Sequence, residues 1–400
     1  MAANRVVSSV ENINCLPAEV LCHILSFLPT KDAVRTSFVS RRWRYLYTLV
    51  SNLDFELRPD YGDDSSVNQL MNFVDRVLLF HIRPSVVRFC LKWIRAVMWY
   101  GIEELELDIT EFDINLEFLP ASLFTCETLV VLKLCLVPAM TVLSSYPRLF
   151  SGCPVLEVLI PDDCCARYDR LKFEVSNPTI KRFFIRKMRY EGVTPQTVIN
   201  APILVYFSFS ELELHHLVFV NMQSLCEAVI DFNFWFDSAN YAAAVNDLLA
   251  GITSVQSLQI SIQTLECLQD CQAPIPLWSN MTRLKIFGLT ECYDFACVQY
   301  FLSCSYCLET LIIEWLPKDW DLHFGLDVTC LSFHLKTIEI LSFQAEEACM
   351  KMVEYFLSNA KVLEEMTIHI VAEKEQQLKT PKELLTLPRV SSKCRVKLCL

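Results

Sequence analysis

Apolar residues at the first, fourth and sixth places of a short segment recur along this chain at a nearly constant interval. The pattern fits at Ile102/Leu105/Leu107, Leu129/Leu132/Leu134, Ile180/Phe183/Ile185, Leu204/Phe207/Phe209, Val255/Leu258/Ile260, Met281/Leu284/Ile286, Leu308/Leu311/Ile313, Leu335/Ile338/Ile340 and Leu363/Met366/Ile368. Two weaker copies, Leu156/Leu159/Pro161 and Leu225/Ala228/Ile230, fill the gaps. Successive first places are 27, 27, 24, 24, 21, 30, 26, 27, 27 and 28 residues apart. Alternate residues of a strand share one face, so each copy reads as a short strand with an inward side. One such unit cannot bury that side alone, whereas stacked units share a continuous core.

All of these intervals but the one of 30 fall in the leucine-rich-repeat range of about 20–29 residues. The expected fold class is therefore α/β, a curved solenoid with inner strands and outer helices. Return segments over Tyr241 to Leu249, Phe295 to Leu302 and Ala345 to Leu357 carry apolar residues three and four apart, which predicts helices. An opening unit at Val86/Phe89/Leu91 stands sixteen residues before Ile102, which shortens its return segment around Trp93 to Trp99. A chain of 400 residues exceeds the usual single domain and suits such an array.

Composition narrows the function classes. No stretch approaches the roughly 18 uninterrupted apolar residues of a membrane span. Met1 to Cys15 is broken by Asn4, Arg5, Ser8, Ser9, Glu11 and Asn12, so no signal peptide is expected. The 19 cysteines are then read as buried free thiols rather than a disulfide framework. A soluble chain is therefore expected and secretion is not; the expected location is intracellular, in the nucleus and/or cytoplasm. With 35 Lys plus Arg against 47 Asp plus Glu, the net charge of −12 disfavours nucleic acid and points to protein partners. Only seven glycines occur, all far apart, so no phosphate-cradling loop or nucleophile elbow can be drawn. No catalytic residue, cofactor or metal is expected.

At the amino end, Leu16, Val20, Leu21, Ile24, Leu25 and Leu28 step as one face of a helix, with Pro17 in its first turn and Pro29 at its end. Thr30 reads as the N-cap of a second short helix with Asp32 in its first turn, and Ser40 as the cap of a third over 41–46. Three helices in about thirty residues bury too little apolar surface to stand alone. The module reads as a docking element. A helix-turn-helix DNA reader fits poorly, because the third segment is short and the rest of the chain acidic.

The residues Leu16-Pro17-Ala18-Glu19-Val20-Leu21, the run Ile24 to Ser37, and Ser40-Arg41-Arg42-Trp43-Arg44-Tyr45-Leu46 resemble a plant F-box. It departs from the usual pattern at Asn14 (commonly Ser), Phe38 (commonly smaller) and Tyr47 (often Trp). The resemblance implies binding to a Skp-type adaptor, and through it a cullin, with Leu16, Pro17, Leu21, Ile24, Leu25, Leu28, Val39 and Trp43 at the adaptor. At the other end, Cys330 to Thr337, Asn359 to Ile368 and Leu387 to Val396 resemble the FBD domain that follows plant F-box repeat arrays. A glycine usual after the Ile338–Phe343 strand is replaced by Gln344 and Ala345, which shortens the expected turn.

The whole therefore resembles an F-box/FBD/leucine-rich-repeat protein: a flexible 1–11, an F-box over 12–58, a polar linker over 59–66, repeats over 67–316, and an FBD unit over 317–400 that continues and closes the solenoid. The function so implied is substrate recognition in a Skp-cullin-F-box ubiquitin ligase, with the repeats holding an unknown protein substrate and chemistry left to other subunits. A small-molecule-dependent receptor, or a binding scaffold without cullin, are the rival readings.

Other chemical candidates are weak. Cys304 and Cys307 have metal-knuckle spacing, but His323 and His334 do not complete a ligand set, while Cys126 and Cys153 both sit three residues before a repeat. His215 and His216 lie beside Glu211 and Glu213 without a nucleophile. The aromatic run Phe232 to Phe236 reads as core filling rather than partner anchors.

Overall fold

The computed structural model describes residues 13–50, 52–54, 73, 76–77, 86–89, 101–108, 126–135, 152–162, 165–167, 172–186, 189–191, 196–211, 216–232, 242–269, 275–288, 295–314, 328–344, 346–371 and 380–399. The chain packs as two compact units, Met1–Leu136 with Gly152–Leu156, and Val137–Ser151 with Glu157–Leu400.

The first unit opens with helix α1 (Ala18–Leu25) and helix α2 (Thr30–Arg35), followed by 3₁₀ turns at Thr36–Phe38 and Leu46–Leu49. Pro17 takes the N-cap position of α1. Pro29 does the same for α2: its carbonyl accepts the N–H groups of Asp32 and Ala33 at 2.9 and 3.0 Å, so Thr30 is already the first residue of the helix. The expected cap at Thr30 is thereby displaced by one residue. The third helix does not form. Trp43 N–H donates to Ser40 C=O and Leu46 N–H to Trp43 C=O, a tighter bonding step than the α-helix that carries Trp43, Leu46 and Val50 into one core with Leu21, Leu25 and Ala33.

Among the described residues of this unit, parallel strands β1 (Asn52–Asp54), β2 (Val86–Phe89), β3 (Glu104–Asp108) and β4 (Val131–Cys135) pair in that order. The register sets Leu53 opposite Val87, Val87 opposite Leu105, and Leu105 opposite Leu132. Val87 and Phe89 are thus the fourth and sixth places of the β2 unit, two residues earlier than the expected Val86/Phe89/Leu91. A further unit precedes it, with Val50 and Leu53 buried in the first and fourth places. Val50 also belongs to the helical core, so the module runs into the sheet with only Ser51 between. The expected linker over 59–66 and the return segment over 93–99 lie outside the described residues.

In the second unit, β5 (Val158–Asp162), β8 (Arg182–Arg186), β11 (Tyr206–Glu211), β13 (Glu227–Phe232), β14 (Ser257–Ser261), β15 (Arg283–Phe287), β16 (Thr310–Ile313), β17 (Thr337–Phe343), β18 (Glu365–Ile370) and β19 (Arg395–Cys399) pair in this order, all parallel. From Ile102 to Met366, the first- and fourth-place residues of the repeats named above are buried, the weaker copies included: Leu156, Leu159 and Ala228 are fully enclosed. Truncating one of the larger of these residues to Ala costs about 2–5 kcal/mol. Carbonyls of second-place residues accept N–H groups of the next repeat, as Lys181 does from Val205 and Tyr206, and Glu309 from Lys336 and Thr337. This ladder satisfies the backbone where each strand begins.

The return side changes character along the unit. Helices α3 (Ala242–Gly251), α4 (Ile262–Gln269), α5 (Ala296–Ser303), α6 (Thr329–Phe333), α7 (Glu347–Asn359) and α8 (Thr380–Thr386) occupy it in the carboxyl-terminal repeats, and α3, α5 and α7 match the predicted segments. Upstream it carries strands instead. Here β7 (Lys172–Ser176), β10 (Gln196–Asn200) and β12 (His216–Val220) form a parallel sheet with Val175, Ile199 and Leu217 buried, and β6 (Cys165–Arg167) pairs with β9 (Arg189–Glu191). Intervals of 24, 24 and 21 residues leave little length for a helix with two connecting turns, and an extended return spans the same distance in fewer residues. The outer layer is therefore mixed rather than wholly helical.

One more unit ends the sheet. In β19, Val396 stands opposite Met366 and Leu398 opposite Ile368. Exposed Arg395 and Lys397 charge this edge strand, which discourages pairing with another chain.

Candidate functional site

The amino-terminal module has two apolar stripes on α1. Leu21 and Leu25, four apart, face the core at 0 % exposure, while Val20 and Ile24, also four apart, face solvent. The outward stripe continues into Phe27 and Leu28, where the chain leaves the helix, and the Phe27 ring stands edge-on to His23 at 4.9 Å. Phe38, at the end of the 3₁₀ turn, is 88 % exposed and the adjacent Val39 65 %. These large apolar side chains lie exposed within one short segment, which makes it the candidate interaction surface.

The eight positions that the F-box resemblance assigns to an adaptor divide by burial. Leu21, Leu25 and Trp43 are enclosed in the module's own core, and Leu16 packs against its edge. Pro17, Ile24, Leu28 and Val39 reach solvent. Val20, Phe27 and Phe38 join the exposed set, although the resemblance does not assign them to the adaptor: Val20 enters the sequence reading only as part of the helix face and Phe38 only as a departure from the usual pattern. The signal that finds Val20 is its four-residue step to Ile24, which parallels the step from Leu21 to Leu25.

Polar bonds lock the first segment onto the last. The Trp43 indole N–H donates to Asn14 Oδ1 at 2.6 Å, and the Arg42 guanidinium donates to the main-chain carbonyls of Asn14 and Leu16. Asn14, a departure from the usual F-box pattern, thus serves as the acceptor for the one polar atom of a buried Trp. The Cys22 thiol donates to the Leu46 carbonyl at 3.7 Å, and burial pushes its pKa up.

A second surface is the strand face turned away from the core. Cations there and on the leading turns pair with carboxylates one repeat away: Lys133 with Glu106 at 2.8 Å, Lys285 with Glu314 at 2.8 Å, Lys336 with Glu309 at 2.9 Å and Lys397 with Glu365 at 2.7 Å. Lys397 also holds the Glu365 carboxyl below its ordinary range. Exposed pairs of this kind contribute little stability each.

The remaining sequence candidates fall elsewhere. Cys304 is buried and desolvation raises its pKa, Cys307 is half-buried, His334 is exposed, and His323 lies outside the described residues. Among the described residues, no group of three or more His, Cys, Asp or Glu is placed to hold a metal ion. His216 opens β12, and His215 lies outside the described residues. Phe232 is fully buried against Phe209 at 5.0 Å, and 233–236 lie outside. Cys126 and Cys153 are both buried. No described helix is long and apolar enough to cross a membrane.

Comparison with known proteins agrees with this anatomy at both ends. The F-box domain model matches residues 13–46 and the FBD model residues 328–368. F-box/LRR-repeat protein At3g59200 of Arabidopsis thaliana is 31% identical, over 97% of this chain and 88% of its own length. F-box/LRR-repeat protein At4g14096 of the same plant is 31% identical over 89% of this chain and 87% of its own. FBD-associated F-box protein At1g66310, also of Arabidopsis, is 30% identical over 98% and 97%. With an F-box at its head, a parallel repeat sheet behind it and an FBD region at its end, the chain belongs to the plant F-box/LRR-repeat family.

Proposed function

We propose that this chain is the substrate-recognition subunit of a Skp-cullin-F-box ubiquitin ligase. The observation that carries the reading is the exposed apolar stripe from Val20 through Phe27 to Leu28, with Phe38 and Val39, on a module too small to cover it. Pro17, Ile24, Leu28 and Val39 contact a Skp-type adaptor together with Phe27 and Phe38, while Leu21, Leu25 and Trp43 hold these side chains in place from inside. Leu16 sits between the two sets.

In this reading the F-box region spans 12–58 and already carries β1, the first strand of the repeat sheet, followed by a linker 59–66, the remaining repeats over 67–316 and the FBD unit 317–400. Family members of this kind are non-catalytic adaptors, and the chain makes and breaks no bond. Its contribution is to raise the effective concentration of substrate lysines near a ubiquitin-conjugating enzyme. Such a role places it inside the cell, in the nucleus or cytoplasm.

The test is isolation of the full chain from plant cells with the proteasome blocked, followed by probing for adaptor and cullin. Recovery of both supports the reading. Recovery of neither overturns it, and adaptor without cullin replaces the ligase role with that of a scaffold.

A further inference from the structure

On the outward face of β8 and β11, one group of cations departs from the pairing rule. Arg182 lies with its guanidinium carbon 4.7 Å from the Tyr206 ring centre and 5.5 Å from that of Phe184, and Arg186 stands 4.9 Å from Phe184 on the other side. Phe184 and Tyr206 pack against each other at 5.1 Å across the two strands. The lysines described above each have a carboxylate partner one repeat away. Arg182 and Arg186 have none among the described residues; aromatic faces hold them instead.

This arrangement suits recognition. A guanidinium held over a ring keeps N–H donors available, in the fork geometry that matches a carboxylate. Stacking also removes much of the side-chain freedom that an exposed arginine would lose on binding. Phe184 is only 7 % exposed, so it acts as a fixed post between two oriented cations. The surrounding charge selects among anions. Register sets Asp162 beside Arg186 on one flank and Asp231 beyond Ser210 on the other, where the Ser210 hydroxyl donates to Asp231 at 3.2 Å. Asp231 adds a carboxylate on that flank, which repels a dianionic phosphoryl group more than a single carboxylate.

We infer that Arg182 and Arg186, braced by Phe184 and Tyr206, form a docking site for an acidic segment of a partner protein, read through Asp or Glu side chains. The site deepens the receptor reading, on which it rests, by giving the partner a chemistry. Its test needs no adaptor, so failure of adaptor binding and failure of this site are separate results.

The experiment is fluorescence anisotropy of the full purified chain with labelled decapeptides carrying Glu beside an aromatic residue, and with matched Gln and phosphoserine versions. The Glu peptides bind, and the Gln versions bind at least about tenfold more weakly, with affinity falling as salt rises. Arg182→Gln and Arg186→Gln each lower affinity about tenfold or more, and Arg182→Lys also weakens it, because an ammonium keeps the charge but loses the stacked fork. Thermal unfolding of the same variants stays near that of the parent chain. Glu and Gln peptides binding alike, or no acidic peptide binding, overturns the proposal. So does binding by the phosphoserine peptides alone. Variants that unfold many degrees lower show that the arginines serve the fold, and overturn it as well.

Discussion

The indole N–H of Trp43 donates to the side-chain oxygen of Asn14 at 2.6 Å, across a sequence separation of 29 residues. This bond ties the residues before α1 to the turn that closes the module. Trp43 is 4 % exposed, so its N–H has no ready replacement in water.

Asn14→Ala leaves that donor without its acceptor and is expected to cost about 1–3 kcal/mol. Chemical denaturation followed by tryptophan fluorescence measures it. Asn14→Ser, which keeps an oxygen on a shorter side chain, falls between Ala and the parent.

Gly251 ends α3 directly over Phe219. A Cβ there would stand 2.3 Å from Phe219 Cδ2, closer than real atoms approach, so Gly251→Ala forces the half-buried Phe219 ring or α3 to shift. The expected cost is about 1–3 kcal/mol, read as a lowered denaturation midpoint. Phe219→Leu in the same chain recovers part of the loss, because the two changes share one contact.

Buried thiols give a pH dependence with a definite sign. Desolvation pushes the Cys330 thiol up to about 12, and those of Cys153 and Cys349 up to about 11, from an ordinary value of 9.0. Their folded values lie above the unfolded one, so the stability they contribute is fully present below pH 9. It is lost as pH climbs from about 9 toward 11–12, where the unfolded chain releases protons that the folded one retains. Urea midpoints are therefore level up to pH 8.5 and fall above pH 9. At pH 8, iodoacetamide followed by mass spectrometry labels exposed Cys226 and Cys399 in the native chain, but Cys330 only in denaturant.

Much of the fold was legible because the repeat writes its core into fixed places. Ile102, Leu132, Leu258 and Ile338 are buried where the pattern sets them. The pattern failed at its ends for local reasons. Val50 and Leu53 belong to a repeat but follow directly on a helical module, which hid them. At the last unit, exposed Lys393 stands two residues before the strand, where an apolar first place is sought, and only Val396 and Leu398 carry the repeat. The strand-built return side between Lys172 and Val220 was foreshadowed by the shorter intervals there, yet residues such as Val175 and Ile199 carry no periodicity that separates strand from helix in five residues.

At the candidate site, periodicity gave the helix but not its orientation. Val20 and Ile24 are as apolar as Leu21 and Leu25, so only packing against Trp43 and Leu46 decides which stripe turns inward. The cluster at Arg182 and Tyr206 had no sequence signal, because its members lie 24 residues apart and meet only through strand register.

The central claim is that the exposed stripe of the amino-terminal module binds a Skp-type adaptor. Calorimetric titration of purified adaptor into the full chain, beside Ile24→Asp and Phe38→Asp variants, tests it most directly. Each variant is expected to weaken binding at least about a hundredfold while circular dichroism stays unchanged, because a carboxylate is driven into an apolar interface. Equal affinity in the parent and both folded variants, or no binding by the parent, would contradict the account.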